Sequence, residues 1–263
     1  MIEYLAIVQA RLNSSRFPNK VLEEVDGIPL ILFLLKRLTY SKKINKIVLA
    51  TSNEKTDNKL FKVVKDSGYD VYRGSLNDVL NRFYKCSNFY KSKNIIRITG
   101  DCPLIDPSII DELICEFEKG EWDYISNCSD ENNLSVPDGF DVEIFKSRLL
   151  KIANEKALLS SEREHVTPWF RSKKADIKWT HYVHNLKRDF YRVTLDYPED
   201  FTVISSIIKN LGGANKFFSI DEVISYLKNN PKVAEINKKF LRNDGYIKSL
   251  KNDKIEKILE NHE

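Results

Sequence analysis

Apolar runs of strand length alternate with stretches of helical periodicity through the first half of the chain, and this alternation limits the fold more than any other feature. Two parallel strands cannot be joined by a tight turn. The crossover needs a dozen or more residues, usually a helix, and that helix covers one face of the sheet. Strands are expected at residues 4–9, 46–50, 70–73, 94–99 and 123–126, with helices at about 29–39, 56–67, 77–90 and 107–117 between them. Pro29 and Pro107 fall near the first turn of their helices, where a missing N–H costs nothing. The expectation is a largely parallel sheet covered by helices.

Past residue 126 the pattern changes to a polar, turn-rich stretch, NCSDENNLSVPDG. A short strand at 140–144, helices at 146–155 and 160–171, strands at 177–183 and 190–194 and a helix at 199–211 are expected after it. Ser219, with Glu222 three residues on, has the pattern of a capping box and opens the helices of the tail. The whole chain, 1–263, is read as one domain. Residues 127–185 form an insert for acceptor or dimer contacts, and 214–263 a C-terminal helical extension. Trp169, Phe170, Trp179 and Tyr182 are rings that a monomer would struggle to bury, so a homodimer through this region is expected.

Charge and cysteine usage narrow the partners. With 42 basic residues against 38 acidic, the net charge of +4 is too balanced for a dedicated nucleic-acid binder. The basic residues near the C-terminus, Lys254 and Lys257 among them, alternate with acids such as Glu256 and read as a solvated helix face. Cys86, Cys102, Cys115 and Cys128 form no CxxC pair, and a strand begins almost at the first residue. A reducing cytoplasm is the expected compartment. The longest apolar run, 28–35, falls short of the roughly 20 residues that span a bilayer.

The sequence YLAIVQARLNSSRFPNK, residues 4–20, runs an apolar strand into a loop carrying Arg11, Ser14, Ser15, Arg16 and Lys20. Such a loop ahead of a helix presents N–H groups and cations to phosphates. Neither GxGxxG nor GxxxxGK[ST] is present, so the cradle would be two guanidinium forks and an ammonium. A polar surface loop with solvated cations is the competing reading. RITGDCPLIDP (97–107) delivers Asp101 at the end of a strand, the edge where α/β sheets bind ligands. Beside substrate phosphates a single carboxylate suits Mg²⁺; alone, it caps a turn. Asp106 is read as the cap of the helix at Pro107. RVTLDYPED (192–200) repeats the pattern with Asp196, while Glu199 and Asp200 are read as complements to the dipole of the following helix.

VPDGFDVEIF (136–145) places Asp138 in a turn, with Asp141 and Glu143 on one face of the expected strand. They are assigned to an acceptor, with solvent exposure the alternative. His165 lies in an expected helix beside Glu164, as a packed or surface residue. His181 and His184, three apart on a strand, point to opposite faces and suit no metal pair.

Taken in order, QARLNSSRFPNK, RGSLNDVLNRFY (73–84), RITGDCPLIDP, VPDGFDVEIF, SEREHVTPWF (161–170) and RVTLDYPED resemble the cytidylyltransferase family of the spore coat polysaccharide biosynthesis protein SpsF. That family is related to the CMP-sialic acid and CMP-ketodeoxyoctonate synthetases. The resemblance runs nearly end to end and includes NDGYIKSL (243–250). It implies a three-layer α/β/α, GT-A-like nucleotidyltransferase fold with a mostly parallel mixed sheet. It further implies that Arg11, Arg16 and Lys20 bind CTP phosphates, with Ala10 and Ser15 in the same loop, and that Asp101 and Asp196 bind Mg²⁺. Ser52, Arg73, Ser75, Asp78 and Arg82 would lie around the cytidine, and Asp138, Asp141, Glu143, Glu164 and His165 on the acceptor side. The activity implied is transfer of CMP from CTP to a sugar acid or phosphorylated acceptor for a surface glycan. A glycosyltransferase of related fold and a non-catalytic nucleotide-binding module are the alternatives.

Overall fold

The structure is a computed structural model and describes residues 1–129, 134–172, 175–184 and 190–260, with side chains through residue 253. Four residues of the turn-rich stretch, 130–133, and the side chains of Lys254, Glu256 and Lys257 lie outside the described part. In chain order the elements of the first half are β1 (Ile2–Gln9), a small hairpin of β2 (Glu24–Val25) and β3 (Ile28–Pro29), α1 (Leu30–Leu38), β4 (Lys46–Ser52), α2 (Asn58–Asp66), β5 (Asp70–Gly74), α3 (Val79–Tyr90), β6 (Ser92–Thr99), α4 (Pro107–Gly120) and β7 (Tyr124–Ser126). The second half adds β8 (Glu143–Lys146), α5 (Arg148–Lys156), α6 (Ser160–His165), β9 (Trp179–His181), α7 (Pro198–Asn210), α8 (Ile220–Asn229), α9 (Pro231–Ala234) and α10 (Asp244–Glu260).

Seven strands form one sheet in the order β5-β4-β1-β6-β8-β7-β9. β1 is central and pairs parallel with β4 and β6, Ala6 standing opposite Ile47 and Ile96. β8 runs antiparallel between β6 and β7, which makes the sheet mixed. The apolar strands follow from this position, because a strand covered on both faces has no solvent side to make polar. Ala6 and Val8 pack under α1, α4, α7 and α8; Leu5 and Ile7 pack on the opposite face under α3 and α5. All four are fully buried. The result is the three-layer architecture that the alternation predicts.

Four expectations for the second half fail. The expected helix 160–171 breaks at Val166 (φ 71°) and resumes as a 3-10 turn, Pro168–Arg171. Pro168 has no N–H to continue the α-helical ladder. The expected strand 190–194 meets the rest of the fold through a single bridge, Asp138 to Arg192. That bridge consists of Asp138 N–H donating to Tyr191 O (3.1 Å) and Val193 N–H donating to Asp138 O (2.7 Å); Leu195 N–H donates to Asp101 O (2.8 Å), in a loop. The strand expected at 140–144 begins only at Glu143, leaving Asp141 in the loop ahead of it. Trp169 and Phe170, expected on the surface, are 2% and 0% exposed: both fill the core under β7 and β8.

Candidate active site

The carboxyl ends of β1 and β6 lie side by side. Gly100 N–H donates to Gln9 O (2.8 Å), and a Cβ at Gly100 would lie 2.7 Å from that of Ala10. The missing side chain is what lets the β6 terminus, carrying Asp101, press against the loop that follows β1. That loop is anchored by a residue not picked out from the sequence. Asp57, 1% exposed, accepts hydrogen bonds from Leu12 N–H (2.8 Å), Ser52 N–H (3.3 Å) and the Ser52 hydroxyl. Buried carboxylates need such donors, and here they tie the loop to the end of β4.

Lys20, 9% exposed, joins Asp101, which follows β6, and Asp196, in the loop ahead of α7. Its ammonium donates to Asp196 Oδ1 at 2.8 Å and to Asp101 Oδ2 at 3.5 Å. Arg16 Nη2 lies 2.7 Å from the same Asp196 oxygen. Burial acts to raise the Asp196 pKa, but Lys20 and Arg16 outweigh it and hold the carboxyl at about 2. For Lys20, burial favours loss of the proton, and Asp101 and Asp196 reverse that, so its pKa is raised.

Around this centre opens a cleft of about 970 Å³. Its loop side carries Ala10, Arg11, Ser15, Arg16, Lys20 and Arg82; its far side carries Asp138, Asp141, Glu143, Glu164 and His165; Asp101 and Asp196 also line it, and Arg11 reaches Glu164 at 3.6 Å. The structure thus brings most of the expected site residues into one cavity. Ser52, Arg73, Ser75 and Asp78 do not line it. Ser52 holds Asp57, and Arg73 donates to Ser52 O, Glu54 O and Asn58. Ser75 accepts from Asp78 N–H (3.1 Å), and Asp78 caps α3 through Asn81 N–H (2.9 Å) and pairs with Arg163.

On the far side the acids are matched by arginines. Glu143 pairs with Arg97 and accepts from Tyr124 Oη (2.7 Å) and Thr167 Oγ1 (2.6 Å). Arg242 pairs with Asp141. Arg192 Nη1 donates to Asp138 (2.7 Å), and its other nitrogens donate to Asp200 (2.9 and 3.1 Å). Burial and Asp141 push Asp138 up to about 7, against Arg242 and Arg192. Asp200 sits in the first turn of α7, where it accepts from Tyr197 N–H (2.9 Å); it is also fully buried and accepts from Asp196 N–H (2.8 Å) and Asn237 (2.8 Å). Among the described residues Arg171, which lines the cleft and donates to Ser129 O (3.0 Å), has no carboxylate partner. On α6, His165 Nε2 lies 3.0 Å from Ser249 Oγ, which itself donates to Glu164 (3.0 Å). Ser249 belongs to α10, so the C-terminal helix forms one wall of the cleft.

Asp101 follows β6 and Asp196 lies in the loop ahead of α7, and one nitrogen reaches both, so both can address one small cation. No group of three or more His, Cys, Asp or Glu suited to a metal occurs among the described residues. Two carboxylates fit Mg²⁺ beside phosphates, since that ion keeps several waters and takes few protein ligands.

A mixed three-layer α/β sheet with cations and paired carboxylates at its carboxyl edge defines a nucleotidyltransferase. Residues 5–207 match the family model for cytidylyltransferase, and the chain belongs to that family. It is 33% identical over 243 residues to the spore coat polysaccharide biosynthesis protein SpsF of Bacillus subtilis, covering 89% of this chain and 98% of that one. A cytidylyltransferase structure from Leptospira borgpetersenii superposes with TM-score 0.82 at 31% identity, covering 89% of this chain and 98% of the other. CMP:2-keto-3-deoxy-manno-octonic acid synthetase complexed with CTP shares the fold, with TM-score 0.61 at 12% identity over 80% of this chain and 99% of that one.

Proposed function

We propose that this cytidylyltransferase is Mg²⁺-dependent and transfers CMP from CTP to an anionic sugar or polyol acceptor, releasing pyrophosphate. The observation that carries the reading is the convergence of Lys20, Asp101 and Asp196 beside Arg11 and Arg16 in one cleft. Asp101 and Asp196 are the residues that would hold Mg²⁺, which supplies charge neutralisation at the phosphates when bound. Arg11, Arg16 and Lys20 bind the β- and γ-phosphates and stabilise the charge of the leaving pyrophosphate. Little covalent chemistry is required of the protein, because the acceptor oxygen attacks the α-phosphate directly and positioning lowers the barrier. Arg171, which forms no direct ion pair among the described residues and feels Glu143 only through space, is assigned to the acceptor's carboxylate or phosphate, which the guanidinium fork matches in shape.

Pyrophosphate release from each of the four nucleoside triphosphates, with a panel of sugar acids, sugar phosphates and polyol phosphates, tests this reading. CTP is expected to be used at least about tenfold better than UTP, the difference of one hydrogen bond of about 1.5 kcal/mol at the cytosine amine. A preference for UTP or GTP overturns the cytidylyl assignment. Arg171→Gln is expected to raise KM for the acceptor about tenfold and leave KM for CTP unchanged.

A further inference from the structure

Arg16 is held from three directions. One terminal nitrogen lies 2.7 Å from Asp196 and the other 3.4 Å from Asp244, the first residue of α10. Its guanidinium carbon sits 5.2 Å from the centre of the Tyr197 ring, within cation–π range. Tyr197 is itself backed by Phe240, the two rings stacked at 3.8 Å with planes 2° apart. The Tyr197 hydroxyl donates to Asp244 (3.2 Å), and so does Lys248 (2.7 Å). Phe240, Tyr197 and Arg16 thus form a stack, with a carboxylate at each end of the guanidinium.

We infer that Asp244 and Tyr197 are positioning residues that aim Arg16 at the triphosphate, so that the C-terminal segment completes the nucleotide half of the cleft. This rests on reading the cleft as the CTP site. The segment lies outside the 5–207 region matched by the family model. The physical argument is one of order. An arginine side chain carries about 2 kcal/mol of rotamer entropy, and one carboxylate contact leaves the far end of the fork free to swing. With both terminal nitrogens held and a ring beneath, the fork has one orientation. Each terminal nitrogen carries two N–H groups, so one contact apiece leaves one apiece for phosphate oxygens. The charge of Asp244 is taken up by Arg16, Lys248 and the Tyr197 hydroxyl, so its through-space repulsion of phosphates is offset.

The sign of one measurement separates this from simple electrostatics. Removing a negative charge near a triphosphate site tightens binding if the carboxylate only repels; it weakens binding if the carboxylate aims Arg16. Calorimetric titration of the full-length enzyme with CTP, CMP and inorganic tripolyphosphate, each with Mg²⁺, is the experiment. Asp244→Asn is expected to raise Kd for CTP and tripolyphosphate about tenfold, with CMP binding and the melting temperature unchanged. Tyr197→Leu should act in the same direction and Tyr197→Phe less, because the ring is kept; Asp244→Glu should restore part of the loss. An unchanged or lowered Kd for tripolyphosphate in Asp244→Asn overturns the inference, as does an equal loss for CMP, which marks a merely structural role. Tripolyphosphate binding without CTP selectivity removes the cytidylyl reading and leaves the inference standing; no binding of either by the wild type removes both.

Discussion

The ammonium of Lys20 bridges Asp101 and Asp196, so neutralising either carboxylate removes a proposed metal ligand and a partner of a buried cation together. The two changes differ in their second effect. Asp101→Asn leaves Lys20 its shorter contact and should cost on the order of 10²-fold in turnover with folding nearly unchanged. Asp196→Asn takes a charge partner from both Lys20 and Arg16, so it should add a stability loss of about 1–3 kcal/mol to a similar loss of turnover. Steady-state kinetics under limiting Mg²⁺ and urea denaturation of each variant check the pair; wild-type turnover in either would remove that residue from the site. That Arg11, Arg16, Lys20, Asp101 and Asp196 would meet in one cleft was legible because each follows an apolar run in a polar loop. Asp57, Arg192 and Asp200 were not, because what makes them important is a partner elsewhere in the chain: the residue types and their local sequence look like ordinary caps and surface charges.

Among the helices, Asp106 joins two. Its carboxylate accepts from Ser108 N–H (2.9 Å) at the start of α4 and from Ile220 N–H (2.7 Å) at the start of α8. The first bond is readable from sequence; the second crosses 114 residues and is not. Asp106→Ala should therefore destabilise by about 2–3 kcal/mol, more than one lost cap, with KM for CTP unchanged, as chemical denaturation and kinetics would report. A second prediction concerns the junction of α6 and α10. Burial pushes the His165 imidazole down to about 4, against the pull of Glu164. An unfolded histidine titrates near 6.5, so the unfolded chain binds the extra proton first. Stability should fall as pH drops from about 6.5 to 4, by at most about 3 kcal/mol, and urea midpoints of His165→Gln should lack that part of the loss. The parallel strands and their helices were readable because burial on both faces imposes an unbroken apolar run. The stretch at 190–194 has the same composition, yet it lies between loops, and tertiary context decides whether such a run pairs.

For the molecule as a whole, the expectation of a homodimer now rests on fewer residues. Trp169 and Phe170 are consumed by the protomer's own core, leaving Trp179 (41% exposed) as the open ring of the four. A dimer through the β9 edge remains the proposal, and light scattering at micromolar concentration should give twice the 30.7 kDa chain mass. A monomeric mass, or a Trp179→Ser variant that still dimerises fully, would count against that surface. No helix among the described residues is long and apolar enough to cross a membrane.

The contact between Lys20 and Asp196 spans 176 residues, and that between Arg16 and Asp244 spans 228. Closing such long loops costs entropy that local helices and neighbouring strands do not face, so these pairings are expected to form last. A chain emerging from the ribosome can assemble β1, β4 and β6 while the residues that complete the site are still unmade. On refolding from urea, helical circular dichroism should therefore recover before the ability to bind CTP, with a measurable lag. Simultaneous recovery would mean that the first and last parts of the chain meet early, and that the site takes part in guiding the fold.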